Sequence, residues 1–329
     1  MPGDVEIASG DVVGYGLASS KGRGIAVPGF VDLQVNGFAG VDFLDADPDG
    51  YRRAGEALLE TGVTSYLPTF ITAPEEKLVA ALQSVPSVLD GPRVLGVHLE
   101  GPFLSPLRLG AHPATARRDP DEDLLDRLLA AGPVRLVTLA PELPGAHDLI
   151  RSLLARDVAV SFGHSNATAE EANAAFDLGV HAVTHLFNAM RPFHHRDPGI
   201  AGAALARPDV VVQVIMDGVH LAPETAALVL RAAKGRVALV TDFITVPGGR
   251  TAEGVLAGST VTMIEAVRNL HGLGASLEEA VVTVTETPAR VIGERAAGRL
   301  GIGLPADVVV LTDELEIDRV LVAGRDRLS

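Results

Sequence analysis

Val94-Leu95-Gly96-Val97-His98-Leu99-Glu100-Gly101-Pro102-Phe103 decides the fold: an apolar, β-branched run carries a carboxylate to its end and stops at Gly-Pro. The same grammar returns further along. Val158–Phe162 leads into Gly163-His164-Ser165, Val180–Val183 into Thr184-His185-Leu186-Phe187-Asn188, and Leu239-Val240-Thr241 into Asp242. Ionisable groups at the ends of buried strands are costly to desolvate unless something binds them. Each run therefore reads as a strand that delivers one chemical group.

Working outward, the strand candidates are Val31–Val35, Thr64–Phe70, Val94–Leu99, Val134–Leu139, Val158–Phe162, Ala182–Leu186, Val210–Met216 and Val237–Thr241. Continuous Val- and Leu-rich runs fit a parallel sheet covered on both faces. Between them, helical apolar spacing marks Tyr51–Glu60, Glu75–Leu82, Asp123–Ala130, Ala146–Ala155, Ala169–Leu178 and Pro223–Ala233. Asp121 and Thr168 (with Glu171) stand where N-caps belong, and Pro223 sits in a first turn. Repeated strand–helix units favour an α/β fold of the (β/α)8, TIM-like barrel type over a doubly wound sheet, which pattern alone still allows. A barrel demands functional groups at the C-terminal strand ends, and Glu100, His164, His185 and Asp242 obey that demand. The barrel is expected over residues 28–298, with helices over Thr260–Leu270, Leu277–Thr285 and Pro288–Ile292 packed after it closes. The strand-like Val5–Ile25 region and the short strands after Arg299 predict a small β-sandwich-type domain built from residues 1–27 and 299–329.

Composition bounds the function. The formal net charge of −15 argues against nucleic acid or an anionic membrane as partner. With no cysteine, any metal must sit on nitrogen and oxygen ligands. The start lacks a basic n-region and an apolar h-region, and no apolar run reaches the roughly 18 residues of a membrane span, so a cytoplasmic location is expected.

Glu100, His164 and His185 suit a catalytic divalent cation that keeps one position open, which points to a metal-dependent hydrolase. Taken singly, each His reads equally well as an ordinary polar residue at a strand end. Asp242 can serve as general base for an activated water; in isolation it reads better as a turn or helix cap.

Pro28-Gly29-Phe30-Val31-Asp32-Leu33-Gln34-Val35-Asn36-Gly37 resembles the first-strand signature of the amidohydrolase superfamily. His98–Phe103, Gly110-Ala111-His112, Gly163–Ala167, Thr184–Met190 and Asp217-Gly218-Val219-His220 together resemble its deacetylases of N-acetylated sugar phosphates. The resemblance runs from about Val27 to the C-terminal strands. It implies hydrolysis of N-acetyl-D-glucosamine 6-phosphate to D-glucosamine 6-phosphate and acetate. It further implies that Glu100, His164 and His185 hold the metal, that Asp242 transfers the proton, and that His112 contacts the acetyl oxygen. Without the resemblance, His112 in its Gly/Pro-rich loop reads as a surface residue. Sugar and phosphate recognition would fall to Asn188, Ala189 through its backbone amide, Arg196 and His220, with Gln34, Asn36 and Leu256 also at the substrate. A homodimer with the phosphate pocket near the interface follows by analogy.

Many amidohydrolases bind two metals through His-x-His after strand one. Here Gln34 and Asn36 replace that pair, so one divalent ion per subunit is expected, Zn2+ first, with Fe2+, Co2+ and Mn2+ compatible. Phe243 and Ile244 follow Asp242 where such enzymes usually carry small residues, which leaves the acyl side of the pocket open to a different shape. His98 and Asp32 are read as supports behind the ligands, and His181 as structural. Two alternatives stand beside this reading: N-acetylgalactosamine 6-phosphate or another acylated amine as substrate, and a catalytically silent barrel used for binding.

Overall fold

The computed structural model describes residues 3–16, 24–87, 89–252 and 254–328. Eight parallel strands form the central sheet: β1 (Phe30–Val35), β2 (Val63–Ile71), β3 (Val97–Glu100), β4 (Val134–Leu139), β5 (Ala159–Phe162), β6 (Ala182–Val183), β7 (Val211–Val214) and β8 (Val237–Leu239). They pair in chain order, each with the next. The two outer strands then meet. Asp242 N donates to Gln34 O at 2.9 Å, and the amides of Asn36 and Gly37 donate to Phe243 O at 3.0 and 3.1 Å. Sequential order with joined edges is a barrel, and it excludes the doubly wound sheet. Closure lies at the C-terminal strand ends, next to Asp242.

The helices covering the barrel are α1 (Pro48–Leu59), α2 (Glu75–Ser84), α3 (Glu122–Ala131), α4 (Ala146–Ala155), α5 (Ala169–Phe176), α6 (Gly199–Ala206), α7 (Pro223–Ala232) and α8 (Met263–Gly272), followed by α9 (Leu277–Thr283) and α10 (Glu286–Val291). The predicted caps form: the Asp121 side chain accepts from Leu124 N, and Thr168 with Glu171 closes a capping box. Helix α6 lies outside the helices that spacing predicts. Its Gly-Ile-Ala-Gly-Ala-Ala-Leu-Ala sequence buries small residues on most sides, so no amphipathic period announces it.

Five strands are shorter than expected, and for two of them the backbone shows why. The run Val94–Leu99 breaks at Gly96, whose φ of +127° suits glycine; Arg93–Val94 pairs beside β2 before β3 begins. Ala182–Leu186 shortens to β6 because the backbone leaves the strand toward His185.

The chain ends come together. Ile25–Pro28 pairs antiparallel with Val308–Leu311, and Ile317–Val322 and Arg325–Asp326 extend that sheet. A hairpin of Val5–Ala8 and Asp11–Tyr15 docks on it, with Val12 N donating to Leu304 O. Val12, Ala306, Val308 and Leu321 form a small separate core there. Within the strand-like stretch Val5–Ile25, residues 17–23 lie outside those described. Among the described residues, no helix is long and apolar enough to cross a membrane.

One layer in from the strand ends, the barrel interior is polar. His98 lies between Leu33 O (3.0 Å) and Thr138 Oγ1 (2.7 Å), and Thr138 continues through Thr184 to Ser161 and Gln213. Burial pulls the His98 imidazole down to about 4, so it stays neutral. Asp32 stitches β1 to β8, accepting from Thr241 Oγ1 at 2.6 Å and from the amides of Gln34 and Thr241. Burial pushes its carboxyl up to about 7 even though those donors favour the charge.

The fold thus prefers protonated Asp32, whereas in the unfolded chain the group ionises near 3.8. Its contribution to stability is whole at low pH and is lost as pH rises from about 4 to about 7. Urea titrations across that range should show Asp32→Asn gaining on the unaltered protein as pH rises. A gap independent of pH would contradict the buried, proton-favouring setting.

Candidate metal centre

Three strand ends converge. Glu100 ends β3, His164 follows β5 after Gly163, and His185 lies two residues past β6. Glu100 Oε1 is 3.0 Å from His164 Nε2 and 2.8 Å from His185 Nε2, and the two nitrogens are 3.1 Å apart. All three side chains are buried. The backbone turns sharply to aim them: φ is +47° at His164, +29° at His185 and +48° at Asp242. Left-handed backbone is uncommon outside glycine, and such strain gathers at functional sites.

Proton placement shows what the trio can hold. His164 Nδ1 lies 2.9 Å from the Arg108 carbonyl oxygen, which can only accept. Nδ1 therefore carries a hydrogen, and in the neutral ring Nε2 keeps a lone pair that faces the other two groups. Burial opposes charge on Glu100, but the rings of His112, His164 and His185 facing it outweigh that and hold the carboxyl well below its usual range. A carboxylate and two imidazole nitrogens packed this closely repel unless a proton or a metal cation lies between them. The donor set fits a divalent ion that accepts mixed nitrogen and oxygen ligands.

A fourth group stands close. Donor atoms of Glu100, His112 and His164 all lie within 4.8 Å of one another, and His112 Nε2 is 3.7 Å from Glu100 Oε2. The Glu100, His164 and His185 contacts are the tighter set. His112 Nδ1 instead meets Thr72 Oγ1 at 2.9 Å.

Asp242 is gripped from behind. Asn36 Nδ2 and Gln34 Nε2 donate to its Oδ1 at 2.7 and 3.0 Å. Burial, reinforced by the Glu100 charge, pushes the Asp242 carboxyl well above the ordinary aspartate range, with His185 and Asn36 pulling the other way. A carboxyl so poised takes up a proton readily, as a general base must.

Above these groups opens a cavity of about 360 Å³, lined by Asn36, Glu100, His112, His164, His185, Asn188, Ala189, His220, Asp242 and Leu256 among others. Two expected substrate residues are absent from its wall. Gln34 is fully buried and donates its amide to Asp242. Arg196 is exposed in a turn closed by His194 and Asp197, its guanidinium 2.8 Å from His195 Nε2. His220 is fixed by Asp217, whose Oδ2 meets its Nδ1 at 2.7 Å while Oδ1 accepts from the amides of Val219 and His220. Phe243 packs on Phe38 with ring centroids 4.5 Å apart, so Ile244, not Phe243, reaches the cavity. Ile71 at the end of β2 and Thr245 also line it, and sequence reasoning passed over both; the strand-end position of Ile71 was the available signal.

Comparison with known proteins bears on the same geometry. The family model described as "Amidohydrolase family" matches residues 25–326. The chain is 39% identical to the human N-acetylglucosamine-6-phosphate deacetylase, over 92% of this chain and 83% of that protein. It is 37% identical to an N-acetylgalactosamine-6-phosphate deacetylase of Escherichia coli O157:H7, over 91% and 86%. A solved mutant of N-acetyl-D-glucosamine-6-phosphate deacetylase from Mycobacterium smegmatis, in complex with N-acetyl-D-glucosamine-6-phosphate, superposes with a TM-score of 0.92 at 34% identity, covering 99% of this chain and 94% of the other. With a closed barrel, ligand-bearing strand ends and matches of this extent, the chain belongs to the amidohydrolase family.

Proposed function

We propose that this chain hydrolyses the acetamide of N-acetyl-D-glucosamine 6-phosphate, yielding acetate and D-glucosamine 6-phosphate. The observation that carries the reading is a buried, amide-clamped Asp242 beside the Glu100, His164 and His185 trio, on one wall of a sugar-sized cavity. Relatives that share most of the chain, and a solved neighbour that holds this sugar phosphate, supply the substrate class.

Glu100, His164 and His185 would hold one divalent ion per subunit. Two imidazoles and one carboxylate favour Zn2+, with Fe2+, Co2+ and Mn2+ compatible. When bound, such an ion supplies Lewis acidity, polarising an acyl oxygen and easing loss of a proton from water. Asp242 takes that proton as the water oxygen bonds to the acyl carbon. It then delivers the proton to the sugar nitrogen as the carbon–nitrogen bond breaks. His112 donates to the acyl oxygen as negative charge develops there. Asn36 and Gln34 hold Oδ1 of Asp242 so that its other oxygen serves the substrate.

Asn188, the Ala189 amide, His220 and Leu256 hold the sugar phosphate within the cavity. Arg196 stands outside this chain's own cavity, which supports a homodimer in which its loop reaches the partner's phosphate pocket. The 37% identity to an N-acetylgalactosamine-6-phosphate deacetylase favours the 4-epimer as the second reading.

Three outcomes are expected. Chelation should abolish acetate release and added Zn2+ should restore it; turnover that survives verified metal removal overturns the metal assignment. Asp242→Asn should keep its metal while kcat falls roughly 10²- to 10⁴-fold, as loss of a general acid–base group does. Initial rates with the two epimeric sugar phosphates should favour the gluco form; a galacto preference selects the second reading, and turnover of neither leaves a binding barrel.

A further inference from the structure

Four candidate donors at a centre built for three leave one role to assign, and the contacts of His112 assign it. Its Nδ1 lies 3.3 Å from the backbone amide of Thr72 as well as 2.9 Å from the Thr72 hydroxyl. A hydroxyl can donate or accept, but a backbone N–H only donates. Thr72 is 1% exposed, so an Nδ1–H tautomer would set two hydrogens against each other and leave a buried amide unpaired, which is costly. The imidazolium form meets the same objection. Only a lone pair on Nδ1 satisfies the amide, and the hydroxyl lies closer to that lone pair, at 2.9 Å, than to the Glu100 carbonyl oxygen at 3.4 Å. The ring hydrogen then sits on Nε2, the atom facing Glu100 Oε2 across 3.7 Å.

The Thr72 hydroxyl has its place because of the motif at the end of β3. A Cβ on Gly101 would lie 2.3 Å from Thr72 Oγ1, and φ there is +89°. The Gly of Glu100-Gly101-Pro102 thus makes room for a side chain arriving from the end of β2.

We propose that Thr72 is a positioning residue that locks His112 as the neutral Nε2–H tautomer, making His112 a hydrogen-bond donor to the acyl oxygen and not a ligand of the cation. This rests on the hydrolase reading given above, which assigns the acyl oxygen to that spot. It adds the residue that sets the tautomer.

Two measurements test it, and the first needs no substrate. In protein loaded with 113Cd2+, histidine side-chain NMR should show cadmium coupling at His164 and His185 and none at His112, whose neutral ring should carry its hydrogen on Nε2. Coupling to His112, or an Nδ1–H or doubly protonated ring, overturns the proposal whatever the substrate proves to be. In the second, Thr72→Val should retain one metal per chain and a nearly unchanged KM while kcat falls roughly 10- to 100-fold, the usual cost of losing an orienting partner. Thr72→Ser should recover most of that loss. Unchanged kcat in Thr72→Val, or loss of metal together with activity, overturns the positioning role. Failure of the hydrolase reading looks different: no turnover of acylated sugar phosphate by any variant, with the cadmium spectrum as expected.

Discussion

Glu100 keeps its charge in a nearly dry site, and the rest of the site is arranged around that fact. A buried carboxylate without partners would neutralise itself by taking a proton. Here imidazoles from three other segments surround it, two within 3.0 Å. Those imidazoles are fixed in turn: the Arg108 carbonyl sets one face of His164, and Thr72 sets one face of His112. Such outer partners decide which nitrogen offers a lone pair and which a hydrogen. The Glu100 carboxylate, the Nε2 atoms of His164 and His185 and the Nε2 of His112 face a common volume, an arrangement that suits a cation and a polarised carbonyl.

Asp242 follows the same logic beside the trio. Its neighbour Glu100 discourages a second negative charge, while Asn36 and Gln34 donate to one of its oxygens and preserve its orientation. Two carboxylates with opposite tendencies, one held ionised and one inclined to take a proton, divide ligation from proton transfer. Amides at positions 34 and 36 also lack the donor strength of imidazoles, so they suit a role toward Asp242 better than toward a second cation.

Much of this was legible in the chain because apolar runs ending in a single ionisable residue leave few folding solutions. Glu100, His164, His185 and Asp242 each announced a strand end, and four strand ends facing one another imply a barrel. What stayed hidden depended on three-dimensional placement. Helix α6 has no period to read, since alanine and glycine bury on any side. His112 rides a loop whose position is fixed by Thr72, a contact across 40 residues. Gln34 and Asn36 looked alike in sequence, yet the first is sealed behind Asp242 and only the second reaches the cavity. Arg196 lies in a turn whose local hydrogen bonds say nothing about which pocket it serves.

The ring of strands closes where Asp242 stands. The three candidate ligands stand at or just past the ends of β3, β5 and β6, whereas Asp242 is placed by the junction of β1 with the segment after β8. The two parts of the site therefore depend on different stretches of the barrel. A chain cut before its eighth strand would carry all three candidate ligands and lack the carboxyl beside them. The joining of the ring's two edges is what brings Asp242 to that place.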